Sequence, residues 1–400
     1  MALLPVSDAL AAILEGASRL GAEYIPVHKA GGRVLAQDLA ARITQPPFDS
    51  AAMDGYAVRA SDLDEFERLE VIGESAAGLP LCGRVERGQA ARIFTGAVVP
   101  QGADCVVMQE NVERAGSVVR ITQKPAPGAN IRPAGVDFRE GDVLLREGRR
   151  LTARDLMLAA GMNYGSLSVT RKPLVAIVAT GDELISPGGV LAPGQIVSSS
   201  PAGLAAMVAQ SGGEPWLLDI ARDSLDGLAA RIEQARPADI LVTIGGASVG
   251  DHDLVGRALA HAGATFHFHK VAMRPGKPLL FARMDETRVL GLPGNPVSTL
   301  ICARIFLQPL IHRLTNFGGS GQRLTKGILD AALPSNGDRT HYMRGRITGG
   351  PLGAPLVRVL ECQDSSLMSA LASSDCLIVR QPGAVAAEVG HIVDILSLDF

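Results

Sequence analysis

The chain has 400 residues, of which 47% are apolar, and a formal net charge of −3. This length predicts about two to four domains, each with enough apolar residues for a core. The near-neutral charge excludes a global basic surface for nucleic acid, so any anion site must be local. Aromatic residues make up only 4% of the chain, which argues against base-stacking platforms.

Five scattered cysteines indicate reduced thiols, because none forms a CxxC pair and their number is odd. The beginning, MALLPVSDALAAILEG, lacks the basic lead and long apolar run of a signal peptide. No stretch approaches the ~18 consecutive apolar residues of a membrane span. We therefore expect a cytoplasmic protein without a membrane contact.

Helical spacing of apolar residues predicts a first helix from Ser7 to Leu20, with Ser7 as its N-cap. A second helix is predicted from Thr152 to Ala160, where Thr152 and Asp155 fit a capping box. Between them lie short apolar runs separated by glycine and proline, which are typical of β structure. We expect a helical domain (residues 1–45 and 144–172) that carries an inserted β domain (residues 46–143).

After Pro173 the pattern changes to buried parallel strands, in the runs LVAIVAT, WLLDIA, DILVTIGG and RVLGLPG. Helical stretches alternate with them at residues 203–210, 225–235, 254–262 and 297–314. This alternation predicts a doubly wound α/β domain over residues 173–317. Short β-like runs between glycine and proline predict a C-terminal β domain over residues 318–400.

Polar residues and glycines follow the four predicted strands. In chain order they are Thr180 and Glu183, then Asp223, then Gly245, Gly246, Ser248 and Asp253, then Pro293, Asn295 and Pro296. Ligands of such sheets bind outside the carboxyl ends of the strands, so these residues are expected to share one site. Any one of the carboxylates alone could be only a helix N-cap.

The combination of residues favours an anionic ligand. Carboxylates suit Mg²⁺, which binds phosphate oxygens, while glycine turns offer backbone N–H groups to the same oxygens. Lys270, Arg274 and Lys277 lie between the third and fourth of these strand ends. Their positive charges would complete the charge balance. The P-loop pattern and the GxGxxG fingerprint are absent, so this is neither of those nucleotide sites.

Three strings in the insert also carry polar residues. They are PPFDSAAMDGYAV with Asp54, IFTGAVVPQGAD with Thr95, and RPAGVDFREGD with Asp137. The pair Asp54-Gly55 could be only a turn. Together with ATGDELISPG, GGASVGDHD, RPGKP and GLPGNPVS, in this order, the strings resemble the molybdopterin molybdenumtransferases and the corresponding half of gephyrin.

The resemblance spans nearly the whole chain and is weakest after Asn316. It implies a multidomain α/β fold with a doubly wound molybdopterin-binding domain, a helical domain with an inserted β domain, and a C-terminal β barrel. The implied reaction inserts molybdenum from molybdate into adenylylated molybdopterin, with Mg²⁺-dependent release of AMP. The implied assembly is a homodimer, with its cleft between the α/β domain of one subunit and the first two domains of its partner.

By the same resemblance, the catalytic positions are Asp54, Thr95, Asp137, Glu183, Asp223 and Asp253. The substrate-binding positions that the resemblance gives are Lys270, Arg274, Lys277, Pro293, Pro296 and, as a weaker match, Ser365 or Ser366. From the strand ends themselves we add Thr180, Gly245, Gly246, Ser248 and Asn295. Our hypothesis is that Glu183, Asp223 and Asp253 hold Mg²⁺. The three basic residues would bind molybdate or phosphate oxygens, although Arg274 stands where the family pattern usually has lysine.

Three alternatives remain open. A molybdopterin adenylyltransferase shares the α/β domain but lacks the SAAMDGYA insert and the barrel. A Mg²⁺-dependent pyrophosphohydrolase would cleave the pyrophosphate bond without a requirement for molybdate. A non-catalytic scaffold would resemble gephyrin in binding receptor peptides. The partners open to the enzyme are a molybdopterin adenylyltransferase and downstream molybdoenzymes.

Overall fold

The computed structural model describes residues 3–246, 254–318, 324–350 and 355–399. Within these residues no helix is both long and apolar enough to cross a membrane. All five cysteines are free thiols, and three of them are buried: Cys105, Cys302 and Cys376.

The first helix, α1 (Val6–Leu14), is shorter than the sequence pattern predicts. It begins after Pro5, so Ser7 lies inside the helix and the prediction of Ser7 as N-cap is wrong. It ends before Gly16, whose φ of +61° lies in the left-handed region. The predicted continuation to Leu20 is therefore wrong as well, because the apolar spacing runs on past the turn at this glycine.

Helix α1 packs on elements that come much later in the sequence. Ala9 and Ile13 are fully buried in the same apolar cluster as Val175 of the central sheet. Arg283 and Arg288 both donate hydrogen bonds to the carbonyl of Glu15, just beyond the end of the helix. Cations at this end also interact favourably with the helix dipole, so these contacts fix α1 to the α/β domain.

Two short strands, β1 (Ala22–Pro26) and β2 (Leu39–Ala40), precede the insert. The structure of the insert is β, as predicted. The strands are β3 (Ser50–Ala51), β4 (Gly55–Val58), β5 (Arg68–Ser75), β6 (Gln89–Ile93), β7 (Cys105–Met108), β8 (Val112–Ala115), β9 (Val118–Ile121) and β10 (Ile131–Arg132). Strands β4 to β9 form one sheet in the order β7-β4-β6-β5-β9-β8, and β3 pairs with β10.

After the insert the chain returns to the first two strands through β11 (Val143–Leu145), α2 (Ala153–Gly161) and β12 (Ser166–Thr170). Strand β11 pairs antiparallel with β2, and β12 pairs antiparallel with β1. The predicted capping box of α2 is confirmed, because the Thr152 N–H and hydroxyl both lie 2.8 Å from Oδ2 of Asp155. Leu39 and Leu167 lie in one apolar cluster, so the segments on either side of the insert share a core.

The strands of the α/β domain are β13 (Leu174–Ala179), β14 (Leu184–Ile185), β15 (Ile196–Val197), β16 (Glu214–Leu217), β17 (Ile240–Ile244), β18 (Thr265–Lys270), β19 (Met273–Arg274), β20 (Pro278–Met284) and β21 (Thr287–Leu292). Six of them form the central sheet, in the order β16-β13-β17-β21-β20-β18. The first four strands in this order are parallel, as predicted, and the last two are antiparallel. Its helices are α3 (Ser200–Gln210), α4 (Leu225–Gln234), α5 (Leu254–His261), α6 (Pro296–Cys302) and α7 (Gln308–Thr315).

Helices cover both faces of this sheet, which confirms the doubly wound prediction. One face packs against α1, α3, α6 and α7, and the other against α4 and α5. The single helix predicted over residues 297–314 is interrupted by a π-helical segment, Ala303–Leu307, between α6 and α7. Pro309 lies in the first turn of α7 and lacks an N–H for an α-helical hydrogen bond, which accounts for the interruption at this place.

The last part of the described chain forms a closed five-stranded barrel. Its elements are β22 (Leu324–Leu329), β23 (Thr340–Gly349), β24 (Leu356–Val359), α8 (Met368–Ala372), β25 (Cys376–Arg380) and β26 (Ile392–Ser397). The strand order is β23-β24-β22-β26-β25, and β25 pairs back with β23. Tyr342 and Leu377 of the barrel pack into the core of the α/β domain.

Candidate active site

A cleft of about 1120 Å³ opens at the carboxyl ends of the parallel strands β13, β17 and β21. This is the side of a doubly wound sheet on which ligands bind. The predicted site residues that line it are Thr180, Glu183, Asp223, Gly245, Gly246, Pro293, Asn295 and Pro296. The structure thus brings together eight positions that are distributed over more than a quarter of the chain.

Thr180, the first residue after β13, fixes one of the carboxylates of the cleft. Its hydroxyl donates a 2.7 Å hydrogen bond to Oδ1 of Asp223. The Thr180 N–H donates to the carbonyl of Ile244 at 3.0 Å, which holds the residue at the end of the sheet. The backbone N–H of Asp223 lies 3.3 Å from Oδ1 of Asp182. Asp223 therefore has a defined position, and its Oδ2 has no hydrogen-bond partner in the described part of the chain.

Glu183 supplies a second carboxylate to the cleft. It folds back over Gly181, where an added Cβ would lie 2.5 Å from Oε2 of Glu183. The carbonyl of Glu183 accepts a 2.8 Å hydrogen bond from the N–H of Ile196 at the start of β15. The glycine before it therefore makes room for the acid, and β15 holds its backbone.

Gly245 and Gly246 turn the chain directly after β17, with φ of +91° and +62°. A Cβ on Gly246 would lie 2.4 Å from Cγ2 of Val255, and one on Gly245 would lie 2.9 Å from the carbonyl of Thr180. Both positions therefore require glycine for conformation and for space. The predicted residues Ser248 and Asp253 follow this turn and lie outside the described residues.

A loop between β24 and α8 of the barrel region contacts the residues that follow β21 and lines part of the cleft. Nδ2 of Asn295 donates a 2.9 Å hydrogen bond to Oγ of Ser365, and the N–H of Val297 donates to the carbonyl of Ser365 at 3.3 Å. Ser366 and Met368 line the cleft itself. The structure thus brings both predicted serines to the cleft, Ser365 through Asn295 and Ser366 by direct exposure to it.

Arg344 anchors this loop, and the sequence analysis missed it. The residue is only 1% exposed. Its guanidinium donates to the carbonyls of Cys362, Asp364 and Leu367 at 3.0 to 3.1 Å. Burial lowers the pKa of the guanidinium from its ordinary value. The only sequence signal is an arginine within the strand pattern THYMRGR. An arginine on the surface would show the same pattern.

The three predicted basic residues lie in one segment beside the cleft, although none of them lines it. Lys270 ends β18, Arg274 ends β19, and Lys277 directly precedes β20, whose first residue Pro278 does line the cleft. The N–H of Val271 donates to the carbonyl of Lys277 at 3.0 Å and so closes the segment into a loop.

Two neighbouring elements hold the middle of this loop. Ala272 donates its N–H to the carbonyl of Leu4 at 2.7 Å, and its carbonyl accepts the N–H of Thr340 at 3.0 Å. The chain before α1 and the barrel strand β23 therefore fix the backbone between Lys270 and Arg274.

Asp54 and Thr95 form a separate pair in the insert. The N–H and the hydroxyl of Thr95 both donate to Oδ1 of Asp54 at 2.7 Å. These bonds, the backbone one first, hold the pKa of the Asp54 carboxyl below its ordinary value, and the charge of Arg92 adds to the effect. Neither residue lines the cleft of the same chain, and Asp137 does not line it either.

Three family models match the chain in sequence. The N-terminal region of MoeA (domains I and II) matches residues 4–162, and a probable molybdopterin binding domain matches residues 176–313. The C-terminal region of MoeA (domain IV) matches residues 326–398. The three matches lie end to end and leave only short gaps.

Relatives named molybdopterin molybdenumtransferase match over most of the chain. A molybdopterin molybdenumtransferase from Nostoc is 39% identical over 82% of this chain and 78% of the relative. The chain belongs to the molybdopterin molybdenumtransferase family. A member from Haemophilus influenzae is 34% identical over 93% of both chains. Family membership confirms the predicted class, a transferase of molybdenum cofactor biosynthesis.

A solved structure supports the same conclusion for the fold. The molybdopterin biosynthesis MoeA protein from Pyrococcus horikosii superposes with a TM-score of 0.86 at 30% identity, and the match covers 100% of both chains. The predicted α/β fold of the family, with its doubly wound domain and C-terminal barrel, is therefore confirmed.

Proposed function

We propose that the protein inserts molybdenum from molybdate into adenylylated molybdopterin and releases AMP. The observation that carries this proposal is the grouping of two carboxylates, Glu183 and Asp223, with the turn formed by Gly245 and Gly246 in one cleft. This grouping suits a pyrophosphate, since backbone groups approach its oxygens closely at glycines while the acids need a bound cation between themselves and the phosphates. Family membership supplies the substrate class.

Glu183 and Asp223 fit Mg²⁺, because this hard cation takes oxygen ligands and commonly binds one or two carboxylates together with substrate phosphates. Asp253 is our third proposed ligand and lies outside the described residues. Among the described residues, no group of three His, Cys, Asp or Glu side chains gathers around one point. The described residues therefore supply two carboxylates, Glu183 and Asp223, to the proposed site, and Asp253 would be the third ligand beside water and phosphate. Bound Mg²⁺ would neutralise charge on the pyrophosphate oxygens.

The chain's own residues then have distinct tasks. Thr180 holds Asp223 in one orientation, and Gly245 and Gly246 let the phosphate or pterin approach the backbone. Lys270, Arg274 and Lys277 bind the oxyanion beside the cleft, since cations balance the charge of molybdate and phosphate oxygens. The hydrogen bond between Asn295 and Ser365 connects the barrel loop to the cleft.

We further propose a homodimer in the cytoplasm, in which each cleft is completed by the partner. Asp54, Thr95 and Asp137 do not line the cleft of their own chain, although the resemblance assigns all three to the active site. Apolar side chains are exposed at the cleft, with Ile196 56% and Met368 48% accessible. A partner insert placed on this opening would cover them and bring its Asp54–Thr95 pair to the substrate.

The reaction is tested by incubating the protein with adenylylated molybdopterin and Mg²⁺, with and without molybdate, and measuring AMP. We expect AMP release to depend on molybdate and to leave a product that activates a cofactor-free molybdoenzyme. Equal AMP release without molybdate would instead identify a Mg²⁺-dependent pyrophosphohydrolase. No AMP release under either condition would favour a non-catalytic scaffold.

A further inference from the structure

A cluster of basic side chains lies where the α/β domain meets the barrel. Strand β19 pairs with β23, and in this register Arg274 is the partner of His341. On the other side of β23, His341 is the partner of Arg380 in β25. Partners in neighbouring strands point to the same face of a sheet. Arg274, His341 and Arg380 therefore share one face at this end of the barrel.

Arg339 joins the cluster from the residues before β23. Its guanidinium donates to the carbonyl of Met273, the residue before Arg274, at 3.5 Å. The nearest acid is Asp338, which lies 3.9 Å from Arg339 and is 92% exposed at the side chain. Water screens so exposed a pair, so Asp338 compensates little of the positive charge.

Arg380 differs from the other members because its guanidinium is used inside the barrel. It is 7% exposed and donates to the carbonyls of Pro334 and Val385. Arg274 by contrast is exposed, and its side chain forms no hydrogen bond or ion pair within the described residues. The available donors of the cluster are therefore those of Arg274, Arg339 and His341.

The His341 ring is half-buried and likewise forms no hydrogen bond within the described residues. Burial, reinforced by the charges of Arg274 and Arg339, lowers the pKa of His341 to about 4. The ring is therefore neutral near pH 7, with one nitrogen that can accept a proton. An anion placed between the two arginines would reverse the effect of their charges on this ring.

We propose that Arg274, Arg339 and His341 form a tetrahedral-oxyanion site in which His341 takes up a proton when the anion binds. The proton comes from solvent and adds to the free ring nitrogen, so the site changes from two positive charges to three. The proposal deepens the proposed function, since molybdate and the phosphate of the pterin substrate both carry such oxygens. It adds His341 and Arg339 to the loop that contains Lys270, Arg274 and Lys277. It also makes the affinity for the anion depend on pH.

The sign of the pH effect follows from the direction of the pKa change. The histidine pKa is low in the free protein and higher in the complex, so binding takes up protons between these two values. Affinity is then highest at low pH and falls as pH rises through the pKa of the complex. With one proton involved, the fall is at most about tenfold per pH unit.

Calorimetric titration of the full-length protein tests this directly. Molybdate is titrated in one arm and inorganic phosphate in the other, between pH 5.5 and 8, in buffers of different ionisation enthalpy. The dependence of the heat on the buffer reports the number of protons taken up. The variants are His341→Gln and Arg274→Gln, and the matched control is His391→Gln, an exposed histidine of the barrel.

Inorganic phosphate itself exchanges a proton in this pH range, so the proton counts are compared between variants for the same anion. The wild type and His391→Gln are expected to take up a fraction of a proton more than His341→Gln. Arg274→Gln should weaken binding roughly tenfold, as expected for one lost charge-assisted hydrogen bond. The anion that binds more tightly indicates whether the site takes molybdate or the phosphate of the pterin substrate. Absence of anion binding, binding of the wild type without proton uptake, or unchanged uptake in His341→Gln would overturn the proposal. Molybdate-dependent AMP release, assayed on the same preparation, reports on the proposed function separately.

Discussion

The hydroxyl of Thr180 donates a 2.7 Å hydrogen bond to Oδ1 of Asp223. Thr180 directly follows β13, whereas Asp223 lies a few residues beyond the end of β16. The bond therefore connects two separate segments that both line the cleft. It occupies one oxygen of the carboxylate and leaves the other for a ligand. Such support from a neighbouring side chain determines how well a carboxylate is oriented towards a metal ion.

Replacement of Thr180 by valine is therefore expected to raise the Mg²⁺ concentration that is needed for AMP release. The hydroxyl is lost while the shape is kept, and loss of a partner of this kind typically costs about 10- to 100-fold in metal affinity or activity. AMP release measured against Mg²⁺ concentration checks this. Thr180→Ser, which keeps the hydroxyl, should behave much like the wild type. Equal Mg²⁺ dependence in both variants would contradict the role assigned to the bond.

A second prediction concerns the ionisation of Asp54. Its pKa is held below the ordinary value of 3.8 by the two hydrogen bonds from Thr95. A lowered carboxyl pKa stabilises the folded state above pH 3.8, and this contribution is lost as pH falls through the folded pKa. Thr95→Val removes the hydroxyl bond but keeps the N–H bond, so the Asp54 pKa should rise part of the way to 3.8.

The titration of the Asp54 carboxyl carbon, followed by NMR, measures this change. Thr95→Ser serves as the control because it retains both donors. If the carboxyl titrates identically in Thr95→Val and in the wild type, the hydroxyl does not set its pKa.

The proposed dimer makes a quantitative prediction about mixtures of inactive variants. Asp54→Asn disables the insert side of every cleft, and Asp223→Asn disables the sheet side. If each cleft combines the insert of one subunit with the sheet of the other, a heterodimer of the two variants has one intact cleft. Unfolding and refolding an equal mixture should then restore about a quarter of the wild-type activity, since half of the dimers are mixed.

Size-exclusion chromatography with light scattering establishes the dimer in the same samples. Wild-type protein refolded in the same way calibrates the yield. Activity no higher than that of the separate variants would indicate that both residues act within one chain, or that Asp54 has no role in the site.

Arg344 is predicted to affect stability and activity together. Arg344→Met would remove the buried guanidinium that donates to the carbonyls of Cys362, Asp364 and Leu367. These bonds are only partly buried, and each lost hydrogen bond of this kind costs about 1 kcal/mol. The free energy of unfolding in urea should fall accordingly. The loop from Cys362 to Leu367 should also become more susceptible to protease, because its contact with Asn295 through Ser365 no longer has a fixed support.

Arg346→Met is the matched control, since Arg346 lies two residues further along the same strand and is exposed. It donates to the carbonyl of Ser373 at 2.7 Å, an exposed bond. Its loss should change the free energy of unfolding far less. A similar loss in both variants would mean that the buried guanidinium has no special role in holding the loop.

The sequence predicts the α/β domain well because its strands are buried on both faces and are therefore nearly continuous apolar runs. The prediction that Thr180, Asp223 and Gly245 lie in one site follows from this, since the ends of parallel strands meet at one edge of the sheet. The end of α1 was not predictable from spacing, because apolar residues continue at helical intervals beyond Gly16. Its docking onto the later sheet depends on contacts such as those of Arg283 and Arg288, which are distant in sequence.

The barrel side of the cleft was the least predictable part. A serine string suggested Ser365, but the buried arginine that holds its loop has the same sequence context as a surface arginine. The pairing of Arg274 with His341 likewise depends on the packing of β19 against the barrel, which no local pattern records. In the proposed dimer, the position of Asp54 relative to the cleft is set by contacts between subunits, which no local sequence pattern records.

The central claim is that a divalent cation lies between the cleft carboxylates and the pyrophosphate of the substrate. It is tested most directly by replacing Mg²⁺ with Mn²⁺ and recording the ³¹P NMR lines of bound adenylylated molybdopterin. We expect Mn²⁺ to broaden the pyrophosphate lines in the wild type and to lose this effect in the double variant Glu183→Gln and Asp223→Asn. Equal broadening in the wild type and the double variant, with substrate bound in both, would contradict the claim.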